Sequence, residues 1–175
     1  MDVDRKTIVS TEWLDDKIIT AAQLLIKQQY PRMVGLQPPV LQQTLTFPVY
    51  RGEFVQLLNI RDTHWCVVTN VGCEEGVVKV YDSMYDSVSD VTSRTIASLV
   101  FSTAPKLTIK VMDMEKQTNT ADCGVLSIAY AYDLYSGMDP CEAVYDHTSS
   151  RNHLAKCLED CKFSRFPVLH AWEGG

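Results

Sequence analysis

The sequence has no window rich in lysine and arginine: 16 basic residues face 22 acidic ones, for a net charge of −6. That shortage argues against the basic surface a nucleic-acid-binding protein needs, and a basic partner suits the chain better. No segment approaches the roughly 20 consecutive apolar residues that cross a bilayer, so no membrane partner is expected. The opening MDVDRKTIVS lacks the basic-then-apolar order of a secretory signal, which makes a cytoplasmic or nuclear location the expectation. Internal repeats, low-complexity tracts and linkers are also missing. Residues 1–175 therefore read as a single domain, expected to be self-standing and monomeric.

What is there is an ordinary globular composition, 46% hydrophobic and 22% charged, with enough apolar material for a core. Six cysteines (Cys66, Cys73, Cys123, Cys141, Cys157 and Cys161) sit mostly in apolar patterns. In a reducing compartment they are expected as free thiols, which leaves cysteine available for chemistry.

Ser10 or Thr11 offers a helix N-cap, after which Ile18, Ala22, Leu25 and Ile26 share one helical face until Tyr30-Pro31. The prolines from Pro31 to Pro48 predict a loop holding a short helix started by Pro39. Three runs, EFVQLLNI, HWCVVTNV and GVVKVYDS, predict an antiparallel meander. DSVSDVTSRTIASLVF resumes helical spacing, and KLTIKVMDM reads as a strand, expected to be central from its apolar density. A helix is predicted from Cys123 to Ser136, closed by Gly137, and two more over DPCEAVYD and SSRNHLAKCLEDCK. The fold class is α+β.

Cys123 stands between the polar loop EKQTNTAD and this apolar helix. The first turn of a helix stabilises a thiolate through unpaired N–H groups and the positive end of the dipole. Position alone nonetheless favours a plainer role, a small hydrophobe opening a buried helix. A base changes the balance. The turn between HWCVVTNV and VVKVYDS centres near Cys73 or Glu74, so antiparallel pairing sets His64 beside a residue at about 82 to 84. Asp82 lies in that range. If bulges at the sheet edge preserve a shared face, the two form the base-plus-orienter pair that activates a nucleophile.

In chain order the residues run Trp13-Leu14-Asp15-Asp16, His64-Trp65, Tyr81-Asp82-Ser83, then Gln117 six residues ahead of Cys123 in Asp122-Cys123-Gly124-Val125. This series resembles the ubiquitin-like-protein-specific cysteine proteases, the sentrin-specific or adenain-related group, from about Trp13 to about Tyr135. The resemblance implies an adenain-like fold, a central, mostly antiparallel sheet flanked by helices with the nucleophile at a helix N-terminus. Cys123 matches the nucleophile, His64 the general base, Asp82 the carboxylate that orients it, and Gln117 the side-chain donor of the oxyanion hole. Trp13 and Trp65 match two aromatics forming a narrow channel over the substrate tail, which selects a Gly-Gly end by exclusion. Asp15 belongs to the same substrate-binding motif. The implied activity is isopeptidase or processing cleavage after the Gly-Gly of a ubiquitin-like modifier, with no cofactor and no metal. The family prior points to SUMO, while the acidic balance also suits the arginine-bearing tail of ubiquitin or a Nedd-type modifier.

Two departures stand out. Only 41 residues separate Asp82 from Cys123, which implies trimmed loops, and Thr120-Ala121 replaces a glycine and an aromatic often found before Asp-Cys-Gly in this group. Other constellations are weaker. A papain-like order would use His147 or His153, neither followed by a suitable Asn or Asp. His153, Cys157 and Cys161 fall on one helical face, but a closed zinc site needs a fourth ligand, so a buried helix face is expected. An effector-type acetyltransferase would use the same triad, yet has no need of a glycine-selective slot, and a non-catalytic modifier-binding module would not need all four catalytic positions. The terminal Gly174-Gly175 mimics a modifier's own ending and is expected to be a frayed tail or a domain edge.

Overall fold

The computed structural model describes residues 5–172, so the terminal Gly174-Gly175 lies outside the described residues. A short helix α1 (Arg5–Val9) precedes α2 (Asp16–Gln29). The N-cap of α2 is Asp15, whose side chain accepts from the Ile18 amide, rather than Ser10 or Thr11. Ser10 instead hydrogen-bonds back to the Thr7 carbonyl and closes α1. The apolar face of α2 is buried through Ile18, Ile19, Ala22, Leu25 and Ile26, and the helix stops before Tyr30-Pro31 because a residue before proline is pushed out of the helical region. Strand β1 (Val34–Gly35) and helix α3 (Val40–Gln43), begun after Pro39, follow.

The expected meander forms as β2 (Phe54–Ile60), β3 (His64–Thr69) and β4 (Val77–Tyr81), paired antiparallel. Helix α4 (Asp90–Leu99) then leads to β5 (Thr108–Val111), and the sheet order is β1-β2-β3-β4-β5. Strand β3 is central and buried throughout, as its continuous apolar run requires when both faces are covered. One face, with Leu57, Trp65, Val67 and Tyr81, packs on a core shared with α2 and with α5 (Cys123–Tyr135). The other, with Leu58, Cys66, Val68 and Val80, packs on Ile96 and Leu99 of α4. All 13 residues of α5 are buried, so this helix is apolar on every side. Its one interior charge, Asp133, is satisfied by Arg165 and by the Tyr145 hydroxyl. Gly137, at a positive φ, ends it, with the Met138 amide reaching back to the Asp133 carbonyl.

Two expectations fail. KLTIKVMDM supplies β5, which is an edge strand parallel to β4, and its outward residues Thr108 and Lys110 are exposed. Apolar density did not distinguish an edge covered by a helix on one side from a sheet centre. DPCEAVYD is no helix. Asp139 caps a single 3-10 turn over Pro140–Glu142, and Ala143–Tyr145 form β6, paired antiparallel with β7 (Val168–Ala171). That partner lies more than 20 residues on, across α6 (His147–Glu159), beyond the reach of local periodicity. Among the described residues no helix is long and apolar enough to cross a membrane.

Candidate active site

The β2–β3–β4 meander sets the register of the site. Val67 pairs with Tyr81, the last residue of β4, so His64, three residues before Val67 on β3, and Asp82, just past Tyr81, come to the same end of the sheet. Asp82 then turns the chain: its Oδ1 accepts from the Met84 and Tyr85 amides at 2.8 and 2.9 Å. The same oxygen meets His64 Nε2 at 2.7 Å, with both side chains buried. Because the carboxylate is already held by two backbone donors, it is a fixed anchor for the ring. The Tyr85 ring stands edge-on to the imidazole, centroids 5.1 Å apart, and screens the pair from solvent.

His64 Nδ1 is buried and makes no hydrogen bond to a protein nitrogen or oxygen among the described residues. Cys123, 1% exposed, opens α5 and is close enough to act on the ring. Burial pulls the imidazole pKa down, but the Asp82 hydrogen bond, then Cys123 and the Asp82 charge, outweigh it and raise it to about 9. A second thiol nearby, Cys66, is fully buried, and desolvation, reinforced by Asp82 and Cys123, pushes its pKa well up. Only Cys123 combines this histidine with a helix start. As the first residue of α5, its N–H has no partner within the helix, the first α-helical bond running from Leu126 N–H to the Asp122 carbonyl.

The polar loop before Cys123 is built by its own side chains. Asn119 Oδ1 accepts from the Ala121 and Asp122 amides, and its Nδ2 donates to Asp122 Oδ2 at 2.7 Å. Gln117 is tied to the end of β4: its amide donates to the Ser83 carbonyl at 2.7 Å, and its Oε1 accepts from the Ser83 hydroxyl. The structure thus brings Gln117, Asp82, His64 and Cys123 to one end of the sheet.

Trp13 and Trp65 line one cleft of about 400 Å³, with Asp15, Asp16, Asn59 and Asp62 on its walls. Their environments differ. Trp65 is buried against α5, whereas Trp13 is half exposed and donates its indole N–H to the Thr120 carbonyl at 2.6 Å, roofing the loop that carries the nucleophile candidate. Asp15 lines the cleft while capping α2. Gly124 packs against two of the residues that line the cleft: a Cβ there would lie 3.3 Å from Leu14 Cβ and 3.4 Å from Trp65 Cδ1. Overpacking of this kind costs about 1–3 kcal/mol, against a helix-propensity gain of about 1 kcal/mol or less for Gly→Ala. Gly124→Ala should therefore lose about 1 kcal/mol net in urea unfolding; a gain in stability would show that Trp65 and Leu14 yield freely.

The site also depends on residues that periodicity did not mark. Arg151 of α6 pairs through Nε with Asp122 Oδ1 at 2.8 Å and donates to the Ile8, Glu12 and Ala121 carbonyls. Tyr85, Asn119 and Ser83 belong with it. An Asx turn after Asp82 and Asn119 three residues before Asp122 were the available signals; nothing local pointed to Arg151. The trio His153, Cys157 and Cys161 does not gather. His153 Nε2 meets the Cys157 sulfur at 3.4 Å, while Cys161 is exposed with its sulfur near the Leu158 carbonyl. Among the described residues no group of three or more His, Cys, Asp or Glu is arranged to hold a metal, and all six cysteines are free.

A sheet-borne His–Asp pair facing a cysteine at the start of a buried helix, within mixed α+β layers, defines a class: the fold is that of the ubiquitin-like-protein-specific cysteine proteases. Among solved structures, the chain is similar to the C-terminal Ulp1 protease domain in complex with Smt3, the yeast ortholog of SUMO, at 14% identity and a TM-score of 0.69, covering 90% of this chain and 81% of that one. It is also similar to the Xanthomonas campestris effector XopD bound to ubiquitin, at 14% identity, a TM-score of 0.58 and 84% and 92% coverage. ChlaDub1 from Chlamydia trachomatis follows at 11% identity, a TM-score of 0.53 and 93% and 96% coverage. No protein-family model and no curated protein matches the sequence, so the likeness is one of fold.

Proposed function

We propose that the protein is a thiol isopeptidase or processing protease that cleaves after the C-terminal Gly-Gly of a ubiquitin-like modifier. The observation that carries this reading is the buried 2.7 Å His64–Asp82 contact beside Cys123 at the start of α5. His64 Nδ1 takes the Cys123 proton, and the thiolate attacks the carbonyl carbon of the modifier's terminal glycine. The Gln117 side-chain N–H and the Cys123 backbone N–H donate to the resulting oxyanion, each such donor being worth about 2.7–4 kcal/mol. The C–N bond breaks as His64 returns the proton to the leaving lysine amine. A water deprotonated by His64 then attacks the thioester, releasing the glycine carboxylate and restoring the thiol.

The cleft between Trp13 and Trp65 supports a tail without side chains. The exposed Asp15, Asp16 and Asp62 along it favour a basic residue upstream of the glycines, as in ubiquitin or Nedd-type modifiers, although SUMO is the partner favoured by the family resemblance. Probes made from ubiquitin, SUMO and a Nedd-type modifier, each ending in an electrophile, test both points. At least one is expected to label Cys123 covalently, and none to label Cys123→Ala. Labelling that persists in Cys123→Ala, or acetyl transfer from coenzyme A without any cleavage, would overturn the assignment.

A further inference from the structure

We propose that Ser83 is a positioning residue of this reaction, its hydroxyl holding the Gln117 amide in the orientation that presents an N–H to the oxyanion; the inference rests on the protease reading above. The two ends of a glutamine amide have the same shape and opposite hydrogen-bonding character, so something outside the side chain must choose between them. Here the Asn119 carbonyl makes the choice and Ser83 holds it. Gln117 Nε2 donates to the Asn119 carbonyl at 2.5 Å, and a carbonyl can only accept, so that end of the amide is the NH2 group. The other end is then the oxygen, and it lies 2.5 Å from Ser83 Oγ, which has to be the donor. The Ser83 carbonyl also accepts from the Gln117 backbone N–H at 2.7 Å, so one residue holds both the main chain and the side chain of Gln117.

Ser83 itself is fixed. It is 1% exposed and follows Asp82, whose carboxylate closes the turn over Met84 and Tyr85. The carboxylate that orients His64 and the hydroxyl that orients Gln117 are therefore consecutive residues on one strand end, and the base and the oxyanion donor share a single rigid mount. An NH2 group carries two hydrogens, one of which goes to Asn119, which leaves the second for the oxyanion. Without the Ser83 hydroxyl the amide oxygen loses its donor. The side chain, then held at one end only, can swing its N–H away from the developing negative charge, and the step loses that donor.

Hydrolysis of aminomethylcoumarin conjugates of ubiquitin, SUMO and a Nedd-type modifier separates this role from a structural one. Ser83→Ala should lower kcat about tenfold with KM little changed, between the few-fold effect of a neutral hydrogen bond and the hundredfold or greater loss of a whole oxyanion donor. Ser83→Thr, which keeps the hydroxyl, should recover most of the loss. In a Gln117→Ala background, Ser83→Ala should cost nothing further, because Ser83 acts through Gln117. Alkylation of Cys123 by iodoacetamide forms no oxyanion and should proceed at the wild-type rate in Ser83→Ala. If Ser83→Ala loses its fold, Ser83→Cys, of nearly the same shape with a weak donor, carries the same comparison. Wild-type kcat in Ser83→Ala, or an equal loss with and without Gln117, overturns the proposal alone; a wild-type protein that hydrolyses none of the three substrates overturns the protease reading and this inference with it.

Discussion

Arg151→Ala is expected to cost about 3–5 kcal/mol of folding stability, the usual consequence of removing one partner from a buried ion pair. The guanidinium and the Asp122 carboxylate are each about one-tenth exposed, so Asp122 would be left charged and largely desolvated. The Ile8, Glu12 and Ala121 carbonyls would lose a donor at the same time. Those three carbonyls belong to α1, to the segment leading into Trp13, and to the loop before Cys123, so the loss should reach the site as well as the fold. Arg151→Lys cannot restore the fork, since an ammonium is a compact donor without the planar spread that reaches four acceptors. Urea unfolding followed by circular dichroism measures the effect. A loss below 1 kcal/mol would mean that the N-terminal segment and the loop hold their positions without Arg151.

Asp82→Asn is expected to lower turnover about a hundredfold with little loss of fold. An asparagine oxygen can still accept from the Met84 and Tyr85 amides and from His64 Nε2, so the ring stays oriented. What disappears is the negative charge that favours the imidazolium, and general base catalysis contributes about 10²- to 10⁴-fold, so its partial loss falls at the lower end. The same substitution should change the pH dependence of stability. His64 is raised in the folded protein from 6.5 to about 9, against the pull of burial, chiefly by the Asp82 hydrogen bond. A raised folded-state pKa stabilises the protein fully below pH 6.5, and that contribution, on the order of 3 kcal/mol, is lost as the pH rises through about 9. Wild-type unfolding free energy should decline across that window, and the Asp82→Asn curve should be flatter. Parallel curves would place the proton elsewhere.

Much of this site could be read along the chain because its parts are tied to regular elements. His64 opens β3 and Asp82 directly follows β4 of one antiparallel meander, so strand pairing brings both to the same end of the sheet. Cys123 opens a long, mostly apolar run, which reads as a buried helix with its N-terminus at the polar loop. Local periodicity has a limited range, however. It placed Ser10 or Thr11 at a cap that Asp15 makes, took β5 for a central strand, and read the β6 segment as helix, because strand neighbours and long-range pairing are not properties of a ten-residue window.

The sequence by itself determined the chemistry on offer: one cysteine at a helix start, a histidine and a carboxylate joined by hairpin register, an amide six residues ahead of the thiol, and two indoles. Only the tertiary structure decided how those groups are held. Arg151 reaches Asp122 from 29 residues away and Trp13 reaches Thr120 from 107. Contacts at such separations follow from the packing of α1, α6 and the loop before Cys123 against one core, and a buried charge such as Arg151 finds its partner only once that packing has removed water from around it.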